Sequence, residues 1–395
     1  MSYLYRGIGR PHTNRRRNAS ARTSTKRGGQ ETINPARFIK HASFVEAEEY
    51  IPRHAFGDFA VSDLLQANIR ARGFTMPSPI QDQAIPEGLA GRDVIGIANT
   101  GTGKTIAFAL PLLNTLLANR SARALIMAPT RELAAQIEDE CKILAKGSGL
   151  QGALLIGGAS MGTQLRDLSR NPSIVIGTPG RIKDHLQRGS LDLSRFALLV
   201  LDEVDRMLDM GFVNDIRRIL SNMPAQRQSF FFTATIDATV GRLIQEFSHD
   251  PVTISVKTGE TTDMVEQVVI PYTDKADRLD RLHDLLLTAP KVLVFDNMQH
   301  SVERLSKELQ TRGFKADAIH GGKTQGQRQR ALNKFKANEI TVLVATDVAA
   351  RGIDVSDITH VVNFTAPKTY DDYVHRIGRT GRAGKTGFAY TFIES

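Results

Sequence analysis

The densest concentration of chemistry in the chain is the octapeptide Ala98-Asn99-Thr100-Gly101-Thr102-Gly103-Lys104-Thr105, which follows an apolar run ending at Ile97 and opens a helical pattern from Ile106. A loop whose amides point inward at a helix N-terminus makes a cradle for phosphates, and glycines let the backbone approach them closely. Lys104 supplies a cation for the outer phosphates, and Thr105 supplies a hydroxyl for Mg2+. The usual pattern begins with Gly where this chain has Ala98, but the Gly-Lys-Thr end is intact. An ordinary glycine-rich turn is the competing reading, and the strand-loop-helix context argues against it.

A second concentration lies where Ala197-Leu198-Leu199-Val200-Leu201 runs directly into Asp202-Glu203-Val204-Asp205. A strand buried on both faces delivers its following carboxylates to the C-terminal edge of a parallel sheet, where open α/β folds bind ligands. Asp202 is placed to hold Mg2+, usually through water, and Glu203 to orient and polarise the water that attacks a γ-phosphate. Acids at strand ends are commonly just solvated. Sharing an edge with a phosphate loop favours the catalytic reading.

These groups need a scaffold, and the sequence supplies its outline. At about 150 residues per domain, 395 residues make two or three domains. Short β-branched runs alternate with helical patterns, as in a parallel sheet covered by helices. Strands are expected at Asp93–Ile97, Ala124–Ala128, Gly152–Ile156, Ile174–Ile176, Leu198–Leu201 and Ser229–Phe232, then at Val268–Tyr272, Val292–Phe295, Ala316–Ile319, Val342–Val344, His360–Asn363 and Phe388–Phe392. Between the two sets, Lys257 to Asp263 carries no large apolar side chain and reads as a linker. The expected division is a tail over 1–45, an ATP-binding domain over 46–256, the linker over 257–263 and a second α/β domain over 264–395.

The net charge of +9 sits in the tail: residues 1–40 hold ten basic side chains and one acid, which leaves 41 of each sign for the rest. With no apolar periodicity, this segment reads as disordered and self-repelling. A nucleic-acid-binding arm, a solubilising tail and a targeting segment are the alternatives, although glycines and prolines interrupt any amphipathic targeting helix. The single cysteine, Cys141, excludes an internal disulfide framework and reads as a core thiol in a reducing compartment. No apolar stretch approaches the ~18 residues that a membrane span needs.

Taken in order along the chain, these and the remaining motifs resemble the DEAD-box RNA helicases of superfamily two, from about Phe56 to Ile393. Gly73-Phe74-Thr75-Met76-Pro77-Ser78-Pro79-Ile80-Gln81, with Phe56 upstream, is similar to the family's Q motif. That resemblance implies that Gln81 reads adenine, that Phe56 covers the base, and that Phe74 belongs to the same site. Pro129-Thr130-Arg131, Gly157-Gly158, Thr178-Pro179-Gly180-Arg181, Gln325, Arg328, Thr346, Arg351 and Gly352 resemble the RNA-facing set, and Asp354 the group that reaches the ribose. In His375-Arg376-Ile377-Gly378-Arg379-Thr380-Gly381-Arg382 the resemblance implies that Arg379 and Arg382 are arginine fingers. It assigns Asp205, Thr233, Thr235, Asp347 and His375 to coupling.

The fold implied is two RecA-like domains in tandem, and the activity implied is Mg2+-dependent, RNA-stimulated ATP hydrolysis with local duplex unwinding. Backbone contacts dominate such a site, so binding should be independent of RNA sequence. Val204 replaces the family's Ala and Thr233 its Ser, which touches coupling rather than the reaction. A DNA-directed helicase of the same superfamily and an ATP-gated RNA clamp remain the alternatives. A cytoplasmic monomer working with ribosomes or RNA-processing assemblies is expected, with substrate choice coming from the tail or from partners, since no C-terminal RNA-recognition module follows the last strand.

Overall fold

The computed structural model describes residues 34–42, 50–99, 101–256, 263–350, 355, 357–381 and 385–395. The first domain is built on β1 (Val94–Ile97), β2 (Arg123–Met127), β3 (Gly152–Leu155), β4 (Ile174–Gly177), β5 (Phe196–Leu201), β6 (Gln228–Thr233) and β7 (Val252–Ser255), in the spatial order β3-β4-β2-β5-β6-β1-β7. The second uses β8 (Val265–Tyr272), β9 (Val292–Phe295), β10 (Ala316–Ile319), β11 (Val342–Ala345), β12 (His360–Asn363) and β13 (Gly387–Glu394), in the order β10-β11-β9-β12-β13-β8. Every pairing within both sheets is parallel. Without β7 the two orders are the same permutation: counted within each domain, the first strand neighbours the sixth, then come the fifth, second, fourth and third.

The apolar runs make such sheets because helices cover both faces. Along β6, Phe230 and Phe232 point to one core and Phe231 to the other. Leu198 and Val200 of β5 share the first face, Leu199 and Leu201 the second. Burying each such side chain contributes about 1.5–3 kcal/mol, so these central strands are fixed in the sheet. Their C-terminal ends consequently arrive at one edge with little freedom. Cys141 is buried, and burial pushes its thiol up to about 12. No helix among the described residues is long and apolar enough to cross a membrane.

All twelve expected strands are present, with ends shifted by up to three residues. β7 is additional: of its four residues only Ile254 is buried, so the alternation is too short to stand out. The tail boundary is corrected. Residues 34–42 are not part of a free tail but pack on the second domain, where Phe38, 1% exposed, lies in the core beside Tyr373 with ring centroids 4.6 Å apart. Lys40 and Gln267 exchange both backbone hydrogen bonds, at 3.3 and 2.8 Å, as an antiparallel bridge on edge strand β8. Composition missed this because one aromatic residue in a basic stretch carries no periodic signal. The expectations for residues 1–33 and 43–45 lie outside the described residues, as does the linker except for Asp263, which pairs with Lys40 at 2.6 Å.

Candidate active site and nucleic-acid interface

Beyond β1 the chain turns through Gly101 and Gly103, with φ of 84° and 89°, into the helix Lys104–Ala118. A Cβ on Gly103 would stand 2.3 Å from Gln81 Nε2 as well as in a backbone region that side chains avoid, so only glycine fits. Gln81 is tied to this loop: its Nε2 donates to Gly103 O at 3.0 Å, while its Oε1 accepts the Ser78 amide at 2.9 Å. Ser78 Oγ donates to Thr102 O at 2.7 Å, and Thr102 Oγ1 to Asn99 O at 2.8 Å. Lys104, 7% exposed, donates through Nζ to Ala98 O at 2.9 Å. Ala98 is buried in the core, which explains how a methyl group is accommodated at the first loop position. Thr105 follows Lys104 in the first helical turn; Thr100 lies outside the described residues.

Opposite the loop, β5 delivers Asp202 and Glu203, which are 2% and 4% exposed. Burial pushes the Asp202 carboxyl up to about 6, against the pull of Lys104. Burial also opposes the charge on Glu203, but Arg206 first, then Lys104, Arg379 and His375, hold its carboxyl below the usual range. Glu203 has a left-handed φ of 54°, a strained backbone of the kind that concentrates at functional sites. Its Oε2 is buried without a hydrogen bond, although Arg206 Nε stands 3.5 Å away. A hydroxyl on Thr105 and a buried carboxylate on Asp202 are hard oxygen donors of the kind Mg2+ takes, so the residues present fit that ion. Asp205 accepts from the amides of Ala234 and Thr235 at 3.0 and 3.1 Å, and Thr233 Oγ1 donates to Thr235 O at 2.7 Å. The three first-domain residues expected to serve coupling are thus one connected unit. Val204 is fully buried in the core with Met207.

The second domain faces these acids with the helix Tyr370–Ile377 and the turn after it. A small cavity is lined by Arg206 of the first domain and by Asp347, His375, Arg376 and Arg379 of the second. Arg379 is 3% exposed. Arg376, which the sequence reading passed over, is the hub: it pairs with Asp347 at 2.5 and 2.7 Å, donates to Thr365 O at 2.6 Å, and reaches Asn297 and Asn363 at 2.9 and 3.2 Å. Arg206 was also missed, for it directly follows acids that drew the chemical interpretation. Arg382 and Asp354 lie outside the described residues.

The RNA-facing candidates converge on a groove of about 440 Å3, lined by Pro129, Thr130, Arg131, Gly157, Thr178, Gly180, Arg181 and, from across the cleft, Arg328. Gly158 and Pro179 adjoin these residues in sequence and Gln325 lies three positions before Arg328; Thr346, just past the end of β11, is buried and does not line the groove, while Arg351 and Gly352 lie outside the described residues. Arg131 folds against the glycine pair, where a Cβ on Gly158 would stand 2.4 Å from its Nη1. Arg328 is 4% exposed and pairs with Glu132 at 2.7 Å. Burial pushes the Glu132 carboxyl up, with Arg328 opposing, and lowers the guanidinium. This ion pair, rather than an open phosphate contact, is where the structure places Arg328.

Phe56 stands beside the Gln81 region as a packed aromatic residue. It is 2% exposed, packed between Phe59 and Phe74 with centroids 5.7 Å from each. Asp82, beside Gln81, was not foreseen at all: it accepts Tyr50 Oη at 2.5 Å and the amides of Arg53 and His54 at 2.9 and 3.2 Å, and lies 2.7 Å from His54 Nδ1. It pins the segment leading to Phe56 onto the helix Pro79–Leu89.

A phosphate loop and paired acids on one parallel sheet, completed by arginines from a second sheet of the same topology, define a tandem RecA-like nucleoside triphosphatase of the helicase type. The comparisons specify the family. The DEAD/DEAH box helicase model matches residues 78–243, and the helicase conserved C-terminal domain model matches residues 274–384. The chain is 45% identical over 344 residues to the ATP-dependent RNA helicase CshA of Listeria monocytogenes, covering 86% of this chain and 66% of that one. It is 45% identical over 343 residues to the DEAD-box ATP-dependent RNA helicase CshA of Bacillus subtilis, covering 86% and 69%. It thus spans about two thirds of the length of these curated relatives. Among solved structures, S. cerevisiae Dbp5 bound to RNA and ADP BeF3 superposes with a TM-score of 0.76 at 29% identity, covering 86% of this chain and 90% of that one. The chain belongs to the DEAD-box family of ATP-dependent RNA helicases.

Proposed function

We propose that this chain hydrolyses ATP with Mg2+ when RNA is bound, and uses domain closure to separate short RNA duplexes locally or to remodel RNA-protein complexes. The observation that carries the reading is that both ends of the cleft use both domains: Arg379 and His375 act on Glu203 at one end, and Arg328 meets Glu132 at the other. ATP and RNA then each favour the closed arrangement, and linkage makes each raise the affinity for the other. Gly101, Thr102, Gly103 and Lys104 hold the phosphates, with Asn99 and Thr100 completing the loop. Glu203 orients the attacking water, and Arg379 with Arg382 neutralises charge developing on the γ-phosphate. Thr105 and Asp202 hold the Mg2+, which supplies positive charge to the phosphate oxygens. Gln81 and the Phe56–Phe74 pair recognise adenine, and Asp354 reaches the ribose. Thr130, Arg131, Thr178, Arg181, Thr346, Arg351 and Gly352 hold the RNA backbone without reading bases. The protein works as a monomer in the cytoplasm, with ribosomal or other RNA-processing partners.

ATPase measurements with and without RNA, followed by release of a labelled strand from a short duplex in the same samples, test the reading. Stimulation by RNA with strand release is expected; stimulation without release would leave an ATP-gated clamp, and stimulation by DNA alone would overturn the RNA assignment. Glu203→Gln should keep ATP binding while turnover falls by about 10²–10³-fold. Turnover within a few-fold of wild type would remove Glu203 from the water-orienting role.

The basic residues before the anchored segment serve as an RNA-binding arm. Removing residues 1–33 takes away eight basic side chains and one acid. Each single-strand phosphate that the shortened protein leaves unneutralised should lower the slope of log affinity against log salt by about 0.7. Parallel slopes for both proteins would assign the arm to solubility alone.

A further inference from the structure

Residues 34–42 pack on the element that presents the arginines. The helix Tyr370–Ile377 has two working faces. Asp372, His375 and Arg376, with Arg379 just beyond its end, line the cavity toward the first domain. Tyr370, Tyr373 and Ile377 turn the other way, into or against the core. Residues at spacings of three and four share a helix face, so fixing the second set fixes the first.

The N-terminal segment engages that second set directly. Phe38 meets the Tyr373 ring at 4.6 Å, and the Arg37 guanidinium stands 4.0 Å over the Tyr370 ring. Tyr373 Oη donates to Gln267 Oε1 at 3.0 Å, and the backbone of Gln267 is the group that bridges Lys40. Glu266 then accepts the Ala42 amide at 2.8 Å and lies 2.8 Å from His41 Nδ1. Tyr373 is completely buried, with Phe38 forming part of its surroundings.

We infer that Phe38 is a positioning residue for ATP hydrolysis: by buttressing Tyr373 it holds the helix Tyr370–Ile377 at the angle that brings Arg379 to the γ-phosphate. This rests on the arginine-finger role proposed above. Phe38 touches neither nucleotide nor RNA, so its influence runs through the arginine and should appear in kcat rather than in KM for ATP.

The test uses the full-length protein. Phe38→Ala should lower kcat at saturating ATP and RNA by about tenfold or more, since displacing a catalytic group by about 1 Å can cost up to ~10²-fold. KM for ATP should remain within about twofold, because the phosphate loop and acids are untouched. Phe38→Leu, which refills most of the space, should recover most of kcat. Native melting of Phe38→Ala with unchanged kcat overturns the inference, as does a parallel loss in KM and kcat that Phe38→Leu fails to rescue. Should Phe38→Ala not fold, Phe38→Met decides by the same criterion: a lower kcat at constant KM supports positioning, and wild-type kinetics overturn it. Wild-type protein without RNA-stimulated ATPase, or Arg379→Ala with undiminished kcat, would instead overturn the reading on which the inference depends.

Discussion

The two sheets share a strand order, and the loop after the first strand of each leads into a helix. After β1 that helix begins on Gly103, which offers no side chain to its amides. After β8 the equivalent helix begins on Asp274, whose carboxylate accepts the amides of Ala276 and Asp277 at 2.8 and 2.9 Å. Asp277 in turn accepts the Thr273 amide at 2.8 Å. One scaffold therefore has an anion cradle where the other satisfies the same donors internally. The comparison teaches that topology provides the edge and the helix end, while one residue at the cap decides whether the end serves ligand or stability. The role proposed for the second domain lies elsewhere, in the arginines of its last helix and turn.

That division of labour can be broken most severely at the arginines. Replacing both Arg379 and Arg382 by Ala should lower RNA-stimulated kcat by at least about 10³-fold. ATP affinity of the first domain should be little changed, read by titration with a fluorescent nucleotide. Wild-type turnover in the double variant would mean that the second domain takes no part in the chemistry.

Transplanting the second domain's solution into the first sharpens the comparison. Gly103→Asp places a carboxylate over the helix end, forces a residue with φ of 89°, and drives a Cβ within 2.3 Å of Gln81 Nε2. Two neighbouring negative charges and a blocked loop should weaken ATP binding by about 100-fold or more, nearly 3 kcal/mol. The remaining first-domain fold should persist by circular dichroism. Unaltered ATP affinity would show that the cap position does not decide the difference.

The reverse change has the smallest effect. Asp274→Ala should cost the second domain about 1 kcal/mol through the lost cap, seen as a lower midpoint in urea, and leave ATP affinity unchanged. A change in nucleotide affinity would contradict the assignment of that helix end to stability.

How much of this was legible follows from how local each signal is. The phosphate loop, the acids and the order of strands were readable because each sits in a few consecutive residues with a distinct period or composition. Arg328 was placed on the RNA side by its motif, but its partner Glu132 comes from the other domain, 196 positions away. No local pattern encodes such a pair. Asp82 gave no signal because its partners, Tyr50, Arg53 and His54, belong to an irregular segment without periodicity. Phe38 was hidden by the charge around it. In each case the decisive contact joins distant parts of the chain, where pattern reading has least purchase.

The berth of Phe38 also imposes an order on synthesis. Phe38 leaves the ribosome well before β13, which pairs with β8 and completes the sheet beneath it. At about 5–20 residues per second, the roughly 350 intervening residues take about 20–70 s to emerge. During that interval the first domain has everything it needs to fold, while the anchor has nowhere to dock. The second domain therefore closes its core only after β13 has emerged. A nascent chain cut short before β13 exposes an unpaired edge and an unhoused aromatic side chain together, a combination that chaperones and proteases recognise.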